Sequence, residues 1–102
     1  MSTTNSGVAE IILGQIGGAR RVRMMLGVKK FYKDDNGNTL VFDFKGSEKA
    51  DRVRIAYNAL DLYDVQFFTT ERTLTKAGEF NNVACDELVG IFEDFTEMFL
   101  TF

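Results

Sequence analysis

LGQIGGARRVRMMLGVKKF, running from Leu13 to Phe31, packs four glycines, three arginines and two lysines into nineteen residues. It can be a glycine loop that cradles phosphate, or a helix that stops and a strand that starts. A Walker-type loop needs Gly-x-x-x-x-Gly-Lys-Ser/Thr between a strand and a helix, and no Gly-Lys-Ser/Thr occurs here. The spacing of Gly14, Gly17 and Gly18 also misses the dinucleotide pattern. Upstream, Val8, Ile11, Ile12 and Ile16 recur at helical spacing, predicting a helix over 6–16 capped by Asn5 or Ser6. Glu10 sits early in it, where the helix dipole favours an anion, and Gly14 costs about 1 kcal/mol relative to alanine. Gly17-Gly18 then stops that helix. A phosphate would thus face its negative C-terminal end, so the phosphate-loop reading fails. Downstream, Val22, Met24, Leu26 and Val28 alternate with Arg21, Arg23, Met25 and Gly27, which predicts a strand. Phe31 breaks the alternation, so a bulge is expected near Gly27 or Lys29-Lys30.

The same alternation continues along the chain. Asn36-Gly37 in KDDNGNT signals a hairpin turn. Leu40, Phe42 and Phe44 form one face of a second strand, Val53, Ile55 and Tyr57 of a third, and Tyr63, Val65 and Phe67 of a fourth. Residues 73–80 suggest a weak fifth strand. From about Val83 to Met98, Leu88, Ile91, Phe92, Phe95 and Phe99 return to helical spacing, with Glu87, Glu93, Asp94 and Glu97 on the outer face. The expected order is α-β-β-β-β-(β)-α. This is an α+β fold, an antiparallel sheet of four to five strands with an N-terminal and a C-terminal helix packed on one face. The other face is expected to carry Arg21, Arg23, Asp43, Lys45, Arg52, Arg54, Asp64 and Gln66. With no proline in the chain, charge, bulges or a partner must protect the sheet edges.

At 102 residues and 45 % hydrophobic content, the chain is one domain with enough apolar material for a core; residues 1–5 are expected to be flexible. No apolar run approaches the roughly 18 residues that span a membrane, and MSTTNSG is not a secretory signal. One cysteine, Cys85, excludes an internal disulfide. A cytoplasmic location is the resulting expectation.

Catalytic chemistry finds little to use. The chain has no histidine, which removes the commonest general base and transition-metal ligand. A lone cysteine cannot build a structural zinc site, and Cys85 is expected to be a small, half-buried residue in the first turn of the last helix. Asp34, Asn36 and Asn38 alternate as in a calcium loop, but Thr39 replaces the glycine of its sixth position and Lys45 the glutamate of its twelfth. The carboxylate pairs Asp61/Asp64 and Asp86/Glu87 have no specific spacing. No enzyme activity, cofactor or metal site is expected.

Binding is left, and the charge is bipolar. Residues 1–54 hold ten Lys/Arg against six Asp/Glu, net +4, while residues 55–102 hold two against nine, net −7. The leading expectation is a protein partner on the acidic helix face Asp86, Glu87, Glu93, Asp94 and Glu97. The alternative is nucleic acid on an open sheet face bearing Arg21, Arg23, Arg52 and Arg54, with Phe68 free to stack on a base. No RNA-recognition signature accompanies it. A third reading is self-association, through a sheet edge or the apolar tail Phe99–Phe102.

Three stretches, ILGQIGGARRVRMMLGVKKF, DLYDVQF and DELVGIFEDFTEMFLTF, resemble a family of small proteins carried by bacteriophages and mobile elements, with no established activity. That family shows ILxQLGGxxFxxMTGAKNF, DxYxVEF and DxLxxIFxxxTGLYxxL in the same order. The resemblance implies a phage or mobile-element origin, hence a bacterial host cell with a host or element-encoded partner, and a small α+β fold, but no known activity; blunting of a host defence is one role expected of the docking protein. It supplies no site residues. MLGVKKF stands where the family has MTGAKNF, and Glu97-Met98 replaces a Gly-Leu. The second change removes a helix-ending glycine, so the last helix is expected to run on toward Leu100.

Overall fold

A computed structural model of the chain describes residues 10–28, 30–34, 38–71 and 73–98. Helical residues 10–15 (α1) are followed by α2 (Ala19–Leu26). Five strands come next: β1 (Phe31–Asp34), β2 (Thr39–Asp43), β3 (Arg52–Tyr57), β4 (Tyr63–Thr69) and β5 (Thr75–Val83). A 3-10 turn, Cys85–Glu87, leads into α3 (Leu88–Thr96). The strands pair antiparallel in the order β1-β2-β3-β4-β5, a simple meander. The α+β fold is therefore the one the sequence predicts. The expected caps Asn5 and Ser6, the expected flexibility of 1–5, the expected turn at Asn36-Gly37 and the tail Phe99–Phe102 all fall outside the described residues.

One expected strand is a helix. Residues 19–26, ARRVRMML, form α2, although Val22, Leu26 and Val28 are buried as the alternation requires. Val22 and Leu26 are four apart, and that spacing satisfies a helix as well as a strand. Met24 separates the two readings. It is 72 % exposed, as a helical residue half a turn from Val22 must be. Alanine, arginine, methionine and leucine all favour the helix, and Val22 is the only β-branched residue of the eight.

The glycines order this region. The Gly18 N–H bonds the Leu13 carbonyl (2.8 Å) and the Gly17 N–H that of Gly14 (3.2 Å). Together these bonds close α1 as a Schellman motif, with Gly17 at φ +122° and Gly18 at +87°. Gly27, at φ +68°, ends α2 by donating to the Arg23 carbonyl. At Gly27 the expected bulge is instead this helix end, while Lys29 of its alternative lies outside the described residues; Phe31 opens β1, which pairs antiparallel with β2 from Phe31 and Phe42 to Asp34 and Thr39.

All three helices bury their apolar faces in one cluster on one side of the sheet: Ile12 and Ile16 from α1, Val22 and Leu26 from α2, Leu88 and Phe92 from α3. The sheet supplies Leu40, Phe42, Val53, Ile55, Tyr63, Val65 and Phe67. Phe92 sits among Phe44 (5.1 Å between centroids), Phe67 (6.0 Å) and Phe42 (6.4 Å). Phe95 stacks on Phe67 at 4.4 Å and 16°. That stack needs Gly78, which lies opposite Phe67 in β5, because a Cβ there would come within 2.6 Å of the Phe95 ring.

The last helix is shorter than the expected 83–98. Val83 belongs to β5, which itself outruns the expected 73–80. At the other end, Glu97 takes the left-handed conformation (φ 62°) and its N–H bonds the Glu93 carbonyl (2.9 Å). A non-glycine residue thus performs the stop that the missing glycine was expected to forfeit.

Candidate functional site: two oppositely charged helix faces

The four arginines of the expected nucleic-acid face do not share a surface. Arg52 and Arg54 alternate with buried Val53 and Ile55, so they lie on the open side of the sheet. Arg21 and Arg23 lie on α2, across the sheet from them. Strand periodicity misassigned them, because α2 was read as a strand. Lys45, also assigned to the open face, follows β2 and donates its backbone N–H to Leu26 at the end of α2.

The open face is also electrically balanced. Asp43 grips Arg52 at 2.6 and 3.2 Å, and that hydrogen bond holds the guanidinium pKa above its ordinary value against the opposing effect of partial burial. Lys76 and Gln66 both donate to Glu79, at 2.7 and 3.1 Å, and hold its carboxyl below the usual range. Phe68 is half-buried there, between Arg52 of β3 and Lys76 of β5 in the register.

The acidic face does assemble. Glu93, Asp94 and Glu97 follow Gly90 at intervals of three and four along α3 and its cap. Gly90, Asp94 and Glu97 are exposed and Glu93 is half-buried, with exposed Asp86 and Glu87 at the head of the helix. Glu87 accepts the Ala84 N–H (3.2 Å) and helps to start the helix. Glu97 pairs with Lys49 at 3.1 Å, both side chains being largely exposed. Asp86 and Asp94 make no ion pair among the described residues.

Three of these carboxylates, Glu93, Asp94 and Glu97, sit against the helix dipole, whereas Asp86 and Glu87 at the head of the helix accord with it. The C-terminal end of a helix carries partial negative charge and prefers cations, each favourable charge being worth about 0.3–1 kcal/mol. The last turn of α3 has no basic residue and holds Glu93 and Asp94, with Glu97 at the cap. α2 is reversed in the complementary sense, with Arg20 and Arg21 in a first turn that holds no acid and a glycine N-cap that offers no side-chain hydrogen bond.

No family model matches the chain, and no curated protein or solved structure does either. The functional reading therefore rests on the surface itself.

Other expected chemistry is absorbed by the fold. Asp61 accepts a hydrogen bond from the Tyr57 hydroxyl, and Asp64 those of Asn58 Nδ2 (3.2 Å) and the Asn82 backbone (3.0 Å). A cleft of about 490 Å³ lies beside Gly27, Asp43, Lys45 and Asp51. Its carboxylates are already engaged, Asp43 with Arg52 and Asp51 with the Thr70 N–H (2.9 Å) and hydroxyl (2.7 Å). Cys85 is exposed rather than half-buried, and belongs to the 3-10 turn before α3. The glycine pair also needs a correction, since Gly17-Gly18 precedes α2 as well as following α1. The dipole objection therefore lapses at α2, while the missing Gly-Lys-Ser/Thr still excludes a Walker loop. No helix among the described residues is long and apolar enough to cross a membrane.

Sequence reading missed Arg20, Met24 and Gly90. Arg20, Arg23, Met24 and Gly27 form one exposed α2 face at helical spacing, a pattern visible only once residues 19–26 are read as a helix.

Proposed function

We propose that this chain is a non-enzymatic accessory protein of a phage or mobile element, working by docking the acidic face of α3 on a basic surface of a protein partner. The observation that carries this reading is the group of carboxylates Glu93, Asp94 and Glu97 at a helix end whose dipole disfavours them. A charge held against local stability favours a role outside the fold. The phage or mobile-element setting rests on the resemblance of the three stretches, and blunting of a host defence is one role such docking serves.

The test is capture from a bacterial lysate by the wild-type chain and by Asp86→Lys/Asp94→Lys. The captured protein is identified, purified and titrated against both. The Asp94 reversal complements the dipole at the end of α3 and the Asp86 reversal opposes it at the start, each by about 0.3–1 kcal/mol, so the two offset and unfolding does not explain a loss of binding. Loss of the partner in the double variant, at a melting temperature close to that of the wild type, is the expected result. Equal capture by both chains rules out the α3 face as the docking surface.

A further inference from the structure

We infer that the basic partner of α3 is the α2 face of a second copy of this chain, in a dimer with two-fold symmetry. This rests on the reading of α3 as a docking face and names what occupies it. α2 and α3 bury their inner faces in one core on the same side of the sheet, so their outer faces belong to one helical layer. The outer face of α2 presents Arg20, Arg23 and Met24. That of α3 presents Asp86, Gly90, Asp94 and Glu97. A two-fold axis in front of this layer lays α2 of each protomer on α3 of the other and makes the same contact twice.

Charge and shape both fit a second copy. The N-terminal end of α2 joins Arg20 and Arg21 to a positive dipole end, and the C-terminal end of α3 joins Asp94 and Glu97 to a negative one. Facing each other, the side chains and the dipoles attract together, whereas within one protomer each set opposes its own helix. Arg23 has its guanidinium over the Phe31 ring at 5.1 Å, which draws it toward β1 at the margin of this face and leaves Arg20 as the charge at its centre. Met24 is an apolar knob, 72 % exposed, between these arginines. Gly90 is its counterpart on α3, a position flanked by carboxylates with nothing within 4 Å of where a Cβ would stand. A flexible thioether over a bare backbone turn is a favourable close contact.

The experiment measures mass in solution by sedimentation across a wide concentration range, at about 50 mM and about 500 mM salt, where screening differs severalfold. The wild type should sediment as a dimer at low salt and dissociate as salt rises. Arg20→Glu and Asp94→Lys should each weaken the dimer by about tenfold or more, and the double variant Arg20→Glu/Asp94→Lys should recover most of that loss, because the pair is then restored with its signs exchanged. Met24→Glu should also give a monomer.

A wild-type monomer at every concentration and at low salt overturns the dimer. It leaves the α3 docking reading standing if Asp86→Lys/Asp94→Lys still loses a captured protein. A dimer indifferent to both single reversals overturns it too, and moves the interface to a sheet edge. A monomer that binds duplex DNA through Arg20 and Arg23, losing it in Arg20→Glu, overturns it in favour of nucleic acid on α2.

Discussion

α2 and α3 cover the same side of one sheet, and different forces hold them there. α3 is anchored by aromatic packing. Phe92 lies among three sheet or loop phenylalanines, and Phe95 is stacked on Phe67 with its edge toward Phe80 (5.9 Å, 77°). α2 is anchored by two aliphatic side chains, Val22 and Leu26, with Met25 at the margin. The ends differ in the opposite sense. α2 stops at Gly27, which takes the left-handed conformation without a Cβ clash, whereas α3 stops at Glu97, which does not. The better-packed helix thus carries the poorer stop and tolerates it.

The largest test of this contrast is a pair of truncations. Phe92→Ala removes the ring at the centre of the aromatic cluster and should cost about 3–5 kcal/mol, whereas Leu26→Ala, with fewer core neighbours on its helix, should fall in the lower part of the roughly 2–5 kcal/mol range for such truncations. Urea denaturation of the two variants checks it. Since a domain of this size is stable by about 5–15 kcal/mol in total, Phe92→Ala should be largely unfolded well below the wild-type midpoint. Equal losses would mean that α2 is as firmly held as α3.

The contrast also explains what could be read from the sequence. α3 was legible because Leu88, Ile91, Phe92 and Phe95 fit only a helix, and the acidic face followed from the same spacing. β2, β3 and β4 were legible because apolar residues alternate without a break along β3 and β4 and from Leu40 through Phe42 to Phe44 just past the end of β2. α2 was not, because its two anchors are four apart and four is a multiple of two. Once it was read as a strand, Arg21 and Arg23 were carried onto the sheet beside Arg52 and Arg54. The error also hid β1, since Phe31 looked like a flaw in the preceding strand and four residues on a sheet edge leave little pattern of their own. Gly78 was visible as a glycine within a weak strand, but its purpose, room for the Phe95 ring, depends on a helix some seventeen residues later.

That close approach gives the second test. Gly78→Ala places a methyl group about 2.6 Å from Phe95 Cε1 and 2.8 Å from Cζ, and the ring is confined between Phe67 and Phe80. The cost should be about 1–3 kcal/mol, as for other overpacked sites. Phe95→Leu in the same chain should cost less than the two changes added separately, because the shorter side chain yields to the new methyl. Thermal melts of the four chains measure this coupling. Strict additivity would place the strain of Gly78→Ala in β5 itself and leave α3 uninvolved.

The smallest effect concerns the helix ends, and there the signs should differ. Glu97→Gly relieves a left-handed residue and should stabilise the chain by about 1 kcal/mol. The lost ion pair with Lys49 offsets little of that, both groups being exposed. Gly27→Ala imposes on α2 the conformation that Glu97 now endures, and should destabilise by a similar amount. Paired denaturation curves separate the two. If Glu97→Gly also destabilises, the Glu97 side chain contributes more to closing α3 than its backbone costs, and the acidic face is then partly structural. If it stabilises but weakens self-association or partner capture, the poor stop and the misplaced charge have one explanation: Glu97 is retained at the end of α3 for what it meets outside the protomer.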